Sequence, residues 1–391
     1  MRGFHLLVLM AGLTLLAAPG KLEAGQVELG AKNPMEKVSV DQLEQALSIP
    51  STKSDAQTAQ ALSALELTER LSTVRLTHLQ AHLPGENSRQ ALLLLADQSI
   101  FLPTAPDEIE PAATPDAAAT RQMLTRVVNY VNTTVRQLPN LMAVRETTAF
   151  QNRPREDRVD AVGTVSLGEL PIHFVGRSDV AVTYRDRKEV EDQGATRALK
   201  SRASLGGLVT SGEFGPILTT VLADALKGRI TWARWESGPN TRWAVFHYEV
   251  PGEKSNYKVK FCCIGGGFRG DGQAEQQVFD ERAGYHGDIA FDPSDGTIER
   301  ITLEAEMPAG GLVPRAGIAI EYSPVEIGGK SYTCPARSVS LLEAHTAAPK
   351  GMYSRANYQG APKIYLNDVV FRDYRRFGSE VRILADESGA P

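Results

Sequence analysis

Towards its C-terminus the chain is a succession of short runs in which apolar and polar residues alternate. Between Tyr285 and Glu343 the alternation is interrupted by Asp295-Gly296 and Gly328-Gly329. Both dipeptides suit turns that need positive φ, so two β-hairpins are predicted here. Further strands are expected near 141–150, 159–167, 171–185, 229–236, 241–250, 256–264 and 364–384. Two apolar stripes of helical period break the series. One helix is expected near 117–137, with Leu124, Val127, Val128, Val131, Val135 and Leu138 on one face and Pro139 as its stop. The other is expected near 215–227, opened by Gly215-Pro216, with Ile217, Leu218, Val221, Leu222 and Leu226 as its apolar face. Their natural place is across one face of an antiparallel sheet.

Upstream the pattern changes. Ser39-x-x-Gln42, Ser54-x-x-Gln57 and Asn87-x-x-Gln90 each resemble a capping box leading into an apolar-periodic segment. Residues 25–102 are therefore predicted to form a small helical module, its last helix ended by Pro103. Residues 103–118 are rich in Pro, Ala and acid and carry no apolar period, which predicts an extended linker. The sheet domain is then residues 119–391. Residues 1–24 read as a signal peptide: Arg2 is followed by the apolar run Leu6–Ala17 and by small residues. The chain is thus expected to be exported, to the periplasm or beyond. No later run is apolar enough to predict a transmembrane segment in the mature protein.

Composition adds limits. With 391 residues and a net charge of −5, nothing suggests nucleic acid or an anionic membrane as partner. Export permits a disulfide. Among Cys262, Cys263 and Cys334 only one intrachain bridge can form, and adjacent strand residues point to opposite faces. Val259, Phe261 and Cys263 share the apolar face, which favours Cys263–Cys334 and leaves Cys262 as a thiol; three reduced core cysteines are the alternative. This cysteine spacing does not suit zinc, so no metal and no cofactor are expected.

The remaining motifs are weak carriers of chemistry. Arg269-Gly270-Asp271 sits in a Gly-rich stretch that lacks the ending of a phosphate loop, and a loop between strands is expected. Asp292, Asp295 and Glu299 read as turn chemistry rather than calcium ligands. His78 and His82 read as a solvated helix face. His247 and His286 stand two residues from Glu249 and Asp288, which makes an acid–base pair conceivable on a strand face. The densest cluster is aromatic. Trp232, Trp235, Trp243, Phe246 and Tyr248 contain every tryptophan of the chain and are the candidate ligand-binding residues. They either fill the core under a covering helix or line an apolar cavity.

An amphipathic helix leading into a long meander, the Asp-Pro-x-x-Gly-x-Ile-x-Arg-Ile hairpin at Asp292–Ile301 and the closing strand at Ile364–Phe377 together resemble the periplasmic lipoprotein-sorting family. The likeness extends roughly over 119–384, and the helical module and linker have no counterpart in it. It implies an α+β fold, with a curved, half-barrel-like antiparallel sheet and helices plugging its concave face. The function expected is non-catalytic binding of a lipid, another apolar ligand or an envelope protein. The alternatives are an envelope hydrolase with its site near His247 and His286, and a structural scaffold.

Overall fold

The computed structural model describes residues 35–49, 52–154, 156–160, 163–167, 169–186, 188–191, 207–208, 213–239, 241–268, 274–345 and 362–377. Side chains at 135–136, 156–160, 163–167, 190–191, 262–268 and 274–278 lie outside that description. Residues 1–24, expected to be a signal peptide, therefore fall outside it altogether.

The helical module comprises α1 (Val40–Ser48), α2 (Asp55–Leu62), α3 (Thr73–Gln80) and α4 (Glu86–Gln98), with a small parallel pair of strands, β1 (Glu36–Val38) and β2 (Leu65–Leu67). Ser39 and Ser54 form the expected capping boxes with Gln42 and Gln57. The third box is not formed. Helix α4 starts one residue before Asn87, and its free amides at Asn87 and Ser88 donate to the Asp55 carboxylate at 3.0 and 2.8 Å. One helix start thus caps another, and these bonds hold the Asp55 carboxyl below its usual range. Val40, Leu43, Leu62, Leu76, Leu79, Leu92 and Leu95 fill the module's own core.

After α5 (Ala117–Gln137) come β3 (Leu141–Arg153), β4 (Glu156–Asp160), β5 (Gly163–Leu167), β6 (Leu170–Arg185) and β7 (Lys188–Glu191), then α6 (Pro216–Ala225). The rest is strand: β8 (Arg229–Ser237), β9 (Arg242–Val250), β10 (Lys258–Phe268), β11 (Ala274–Arg282), β12 (Gly284–Phe291), β13 (Ile298–Glu306), β14 (Arg315–Ile327), β15 (Lys330–Ala344) and β16 (Lys363–Arg376). Ten of these strands form one open antiparallel sheet in the order β7-β6-β3-β16-β15-β14-β13-β12-β9-β8. The α+β class is as expected. Strand β10 runs into the Gly-rich stretch as far as Phe268 and pairs with β11, a strand the alternation did not reveal. The Arg-Gly-Asp triplet lies outside the described residues.

The two faces of the sheet have different partners. Ile301, Leu303, Ile318, Ile320, Phe246 and Ile289 point to one side, where α5 and α6 cover them. Ala319, Val339, Leu341, Leu366 and Phe150 point to the other, where Leu93, Leu94, Ile100 and Phe101 at the end of the helical module pack on them. Gly317 makes this approach feasible, because a Cβ there would stand 2.7 Å from the Phe101 ring.

Two buried ion clusters fix the same interface. Arg337 of β15 bonds Asp368 of β16 at 2.6 Å, Thr73 at 2.8 Å and Asp97 of α4. Glu236 of β8 accepts from Arg300 at 2.7 Å, Thr104 at 2.7 Å and Arg70 at 3.2 Å, and Arg234 joins from its own strand. Burial alone would push the Glu236 carboxyl up; the charges of Arg300, Arg70 and Arg234 reverse this and hold it well below its usual range.

The module and the sheet accordingly belong to one compact unit beginning at Glu36. The expected free linker is not extended tether. Thr104 and Ala105 are buried, a single 3-10 turn covers Pro106–Glu108, and Ile109 bridges to Glu236. Glu110 N donates to Trp235 O at 3.2 Å, and Trp235 Nε1 donates to Ala113 O at 3.0 Å. The segment runs along β8 and covers an edge that would otherwise present unpaired backbone.

Cys334 is a free, buried thiol packed with Ile327, Val369 and Phe371, so the expected Cys263–Cys334 bridge is not formed. Val259 and Phe261 of β10 pack in a different cluster, with Ala316 and Leu342, so that face of the strand is not turned to Cys334. The side chains of Cys262 and Cys263 lie outside the described residues.

Candidate functional site

Helix α5 begins with Asp116, whose carboxylate accepts from Ala119 N at 2.7 Å. Its stripe Met123, Val127, Val131 lies on the sheet. The position of α5 is set by the β12–β13 turn beneath it. Arg126 donates to Pro293 O at 2.7 Å, and a Cβ on Gly296 would stand 2.6 Å from the Arg126 carbonyl carbon. Within that turn Asp292 accepts from Ser294 N and Asp295 from Thr297 N, at 2.7 and 2.8 Å, so both are turn residues as expected.

Helix α6 opens on Pro216 and buries Leu218, Val221, Leu222 and Ala225. Its C-terminal turn is tied down by the buried Asp224 carboxylate. That group accepts from Asn256 N at 2.7 Å, from Asn256 Nδ2 at 2.6 Å and from the Tyr285 hydroxyl at 3.1 Å. Neighbouring Tyr248 sends its hydroxyl through the gap at Gly287 to Thr302 O at 2.6 Å. Asp224, Tyr285 and Tyr248 are thereby paired on this face, while the buried Tyr322 hydroxyl has no hydrogen-bond partner among the described residues.

Where α5, α6 and β8, β9 and β12 meet, a cavity of about 10 Å³ remains. Leu124, Val127 and Val128 of α5 line it, with Leu222, Ala225 and Leu226 from α6 and its last turn, and Ile230, Phe246, Ile289 and Phe291 from the strands. Every lining residue is apolar. The volume is about that of one water-sized probe, so the two helices fill most of the space above the sheet. Leu226 at its rim is 59% exposed.

Of the five aromatic residues singled out from the sequence, Phe246 alone lines this cavity. Trp232, Trp235, Phe246 and Tyr248 do share the helix-covered face. Trp235, Trp232, Phe246 and Phe291 form a continuous series with ring centroids 4.7, 5.4 and 5.6 Å apart. Trp243 does not join it. Its neighbour Ala244 lies in the helix-covered core, so the Trp243 ring projects from the opposite face. The α5 and α6 lining residues were legible as helix stripes, but no signal separated a cavity wall from plain core.

His247 and His286 stand on the opposite face too. The pairing differs from expectation: His247 Nδ1 meets Asp288 at 2.9 Å, and Glu249 lies opposite His286 in the register. The two rings are 6.1 Å apart. Asp288 is also held by Arg234 at 2.8 Å, and His247 Nε2 faces Glu249 at 3.7 Å. Asp288 thus orients the His247 ring through Nδ1, while Glu249, on the Nε2 side, is itself held by Arg229. Among the described residues no group of three or more His, Cys, Asp or Glu is arranged for a metal ion, and no helix is long and apolar enough to cross a membrane.

No family model matches the chain, and no curated protein matches it. One solved structure, a LolA superfamily protein from Nitrosomonas europaea, aligns over 66% of this chain and 94% of its own, at 8% identity and a TM-score of 0.23.

Proposed function

We propose that the chain is an exported, non-catalytic binding protein that holds an apolar chain between the α5–α6 pair and the sheet. The observation that carries this reading is the wholly apolar cavity beside exposed Leu226, at the junction of two separate helices with three strands. A ligand larger than a few atoms requires α6 to swing away from β9. The features that support such a movement are the short length of α6 and its attachment to the sheet through apolar side chains, with polar ties concentrated at Asp224.

The test is titration with a fluorescent fatty acid, together with native mass spectrometry of protein purified without detergent. Saturable binding by the parent chain and its weakening in Leu222→Trp, which more than fills the cavity and crowds the space under α6, are expected. Absence of saturable binding, or binding indifferent to Leu222→Trp, would refute the reading.

A further inference from the structure

A second and much larger recess, of about 550 Å³, lies between the later turns of α5 and the hairpin ends beneath it. Its chemistry is the reverse of the apolar cavity. Tyr130 and Thr134 of α5, Thr297 beside β13, and Ser331, Tyr332 and Thr333 of β15 line it with hydroxyl groups. Gln137 adds an amide and Lys330 one exposed cation, and among the described residues no carboxylate belongs to the lining.

The hydroxyls are organised around Tyr130. Its phenol donates to Thr333 Oγ1, and the Thr134 and Thr297 side chains line the same recess. Groups from a helix, a turn and a strand thereby line one recess.

This lining discriminates among ligand classes. A divalent cation needs carboxylate or carbonyl oxygens in number, and side-chain carboxylates are lacking. Among the described lining residues an anion would find one lysine, and the negative charge of Asp295 acts on Tyr130. A neutral polyhydroxylated molecule is suited on each count. Hydroxyls and an amide both donate and accept, and two tyrosine rings offer faces for C–H groups. The volume lies within the roughly 300–1,000 Å³ usual for small-molecule sites.

We propose that this cleft binds a neutral glycosyl group, carried by a free oligosaccharide or as the head of a glycolipid. It is distinct from the apolar cavity, although both border α5. From Val128 to Thr134 the helix advances about 9 Å, so a glycolipid lying along α5 reaches both with head and chain.

The test uses the full chain and calorimetric titration with maltose, cellobiose, lactose and chitobiose. Dodecyl maltoside below its micellar concentration and lauric acid are titrated alongside. Saturable binding of at least one free disaccharide, or of dodecyl maltoside, is expected. Tyr130→Phe and Gln137→Ala should each weaken it about five-fold, the loss of one neutral hydrogen bond. A disaccharide that binds by itself identifies a free sugar as source; binding of dodecyl maltoside alone identifies a glycolipid. Gln137 is exposed, so its variant keeps the fold and the test stands even if Tyr130→Phe disturbs packing. Failure of every glycosyl probe, or binding that both variants leave unchanged, overturns the proposal. Lauric acid and Leu222→Trp report on the apolar cavity separately, so the two readings fail independently.

Discussion

Arg337 of β15 reaches out of the sheet to the Asp97 carboxylate on α4, and both side chains are buried. The same guanidinium holds Asp368 of β16, so one cation serves two carboxylates from two parts of the fold. Burial, and then the charge of Asp368, raise the Asp97 carboxyl well above its ordinary value against the pull of Arg337.

Removing the cation should therefore be severe. Arg337→Met leaves two buried carboxylates without their partner and is expected to cost about 3–5 kcal/mol. Asp97→Asn keeps a neutral hydrogen-bonding group where the acid is already pushed toward its neutral form, and should cost clearly less. Urea titration of both variants checks the order. Equal midpoints would remove Arg337 as the tie between module and sheet.

The turn under α5 gives a second expectation. Gly296 has φ +86° and no room for a Cβ, whereas Gly310 has φ +73° and open space around it. Gly310→Ala should cost about 1 kcal/mol for the left-handed backbone alone. Gly296→Ala must also push α5 from the hairpin and should cost appreciably more, measured by thermal unfolding of the two variants side by side.

Glu299 predicts a pH dependence. Burial, with Asp292 and Asp295 adding like charge, raises its carboxyl to about 7 from the ordinary 4.5. A raised acid favours the fold in its neutral form. Its contribution is fully present below the unfolded value of 4.5 and is lost as pH rises through about 7. The urea midpoint should fall across that window in the parent chain, and Glu299→Gln should flatten the fall. An unchanged slope in the variant would assign the titration elsewhere.

Cys334 can be checked with a thiol reagent. Burial pushes its thiol up to about 12, so it stays protonated and shielded in the folded chain. Iodoacetamide should label it in urea without reductant and leave it untouched in native protein. A Cys334 that resists labelling in urea until reductant is added would restore the disulfide.

Much of this architecture is legible in the residues, and the exceptions have local causes. The α5 stripe, the Pro216 start of α6 and the Gly328-Gly329 turn, with φ +61° and +78°, follow from period and turn chemistry. The linker was misread because its pairing uses backbone groups at Ile109 and Glu110, which composition does not encode. The docking of the module was hidden for another reason. Arg337, Asp368, Glu236 and Arg300 are charged residues on alternate strand positions, a pattern that ordinarily marks a solvated face. Here partners distant in sequence, Asp97 and Arg70, meet them and bury them. The apolar cavity and the hydroxyl cleft share the same difficulty, since each is assembled from a helix and strands far apart in the chain.

The tryptophans separate packing from position. Strict alternation would put Trp232 and Trp235 on opposite faces, yet both lie under the helices. A register shift between Trp232 and Arg234 inserts one extra residue and returns Trp235 to the side of Trp232. Trp232 then stands between Trp235 and Phe246 with edge-on contacts to both, while Trp243 projects from the other face close to Gly238. Trp232→Ala opens a gap in the aromatic series and should cost about 3 kcal/mol. Trp243→Ala removes a partly exposed ring near the edge of the sheet and should cost about 1 kcal/mol. If apolar ligands enter from the α6 side, Trp232→Ala should also change their affinity, and Trp243→Ala should not. Urea titration and fatty-acid binding on the same two variants decide it. Equal stability losses would refute the face assignment, and a binding defect confined to Trp243→Ala would move the ligand site off the helix-covered face.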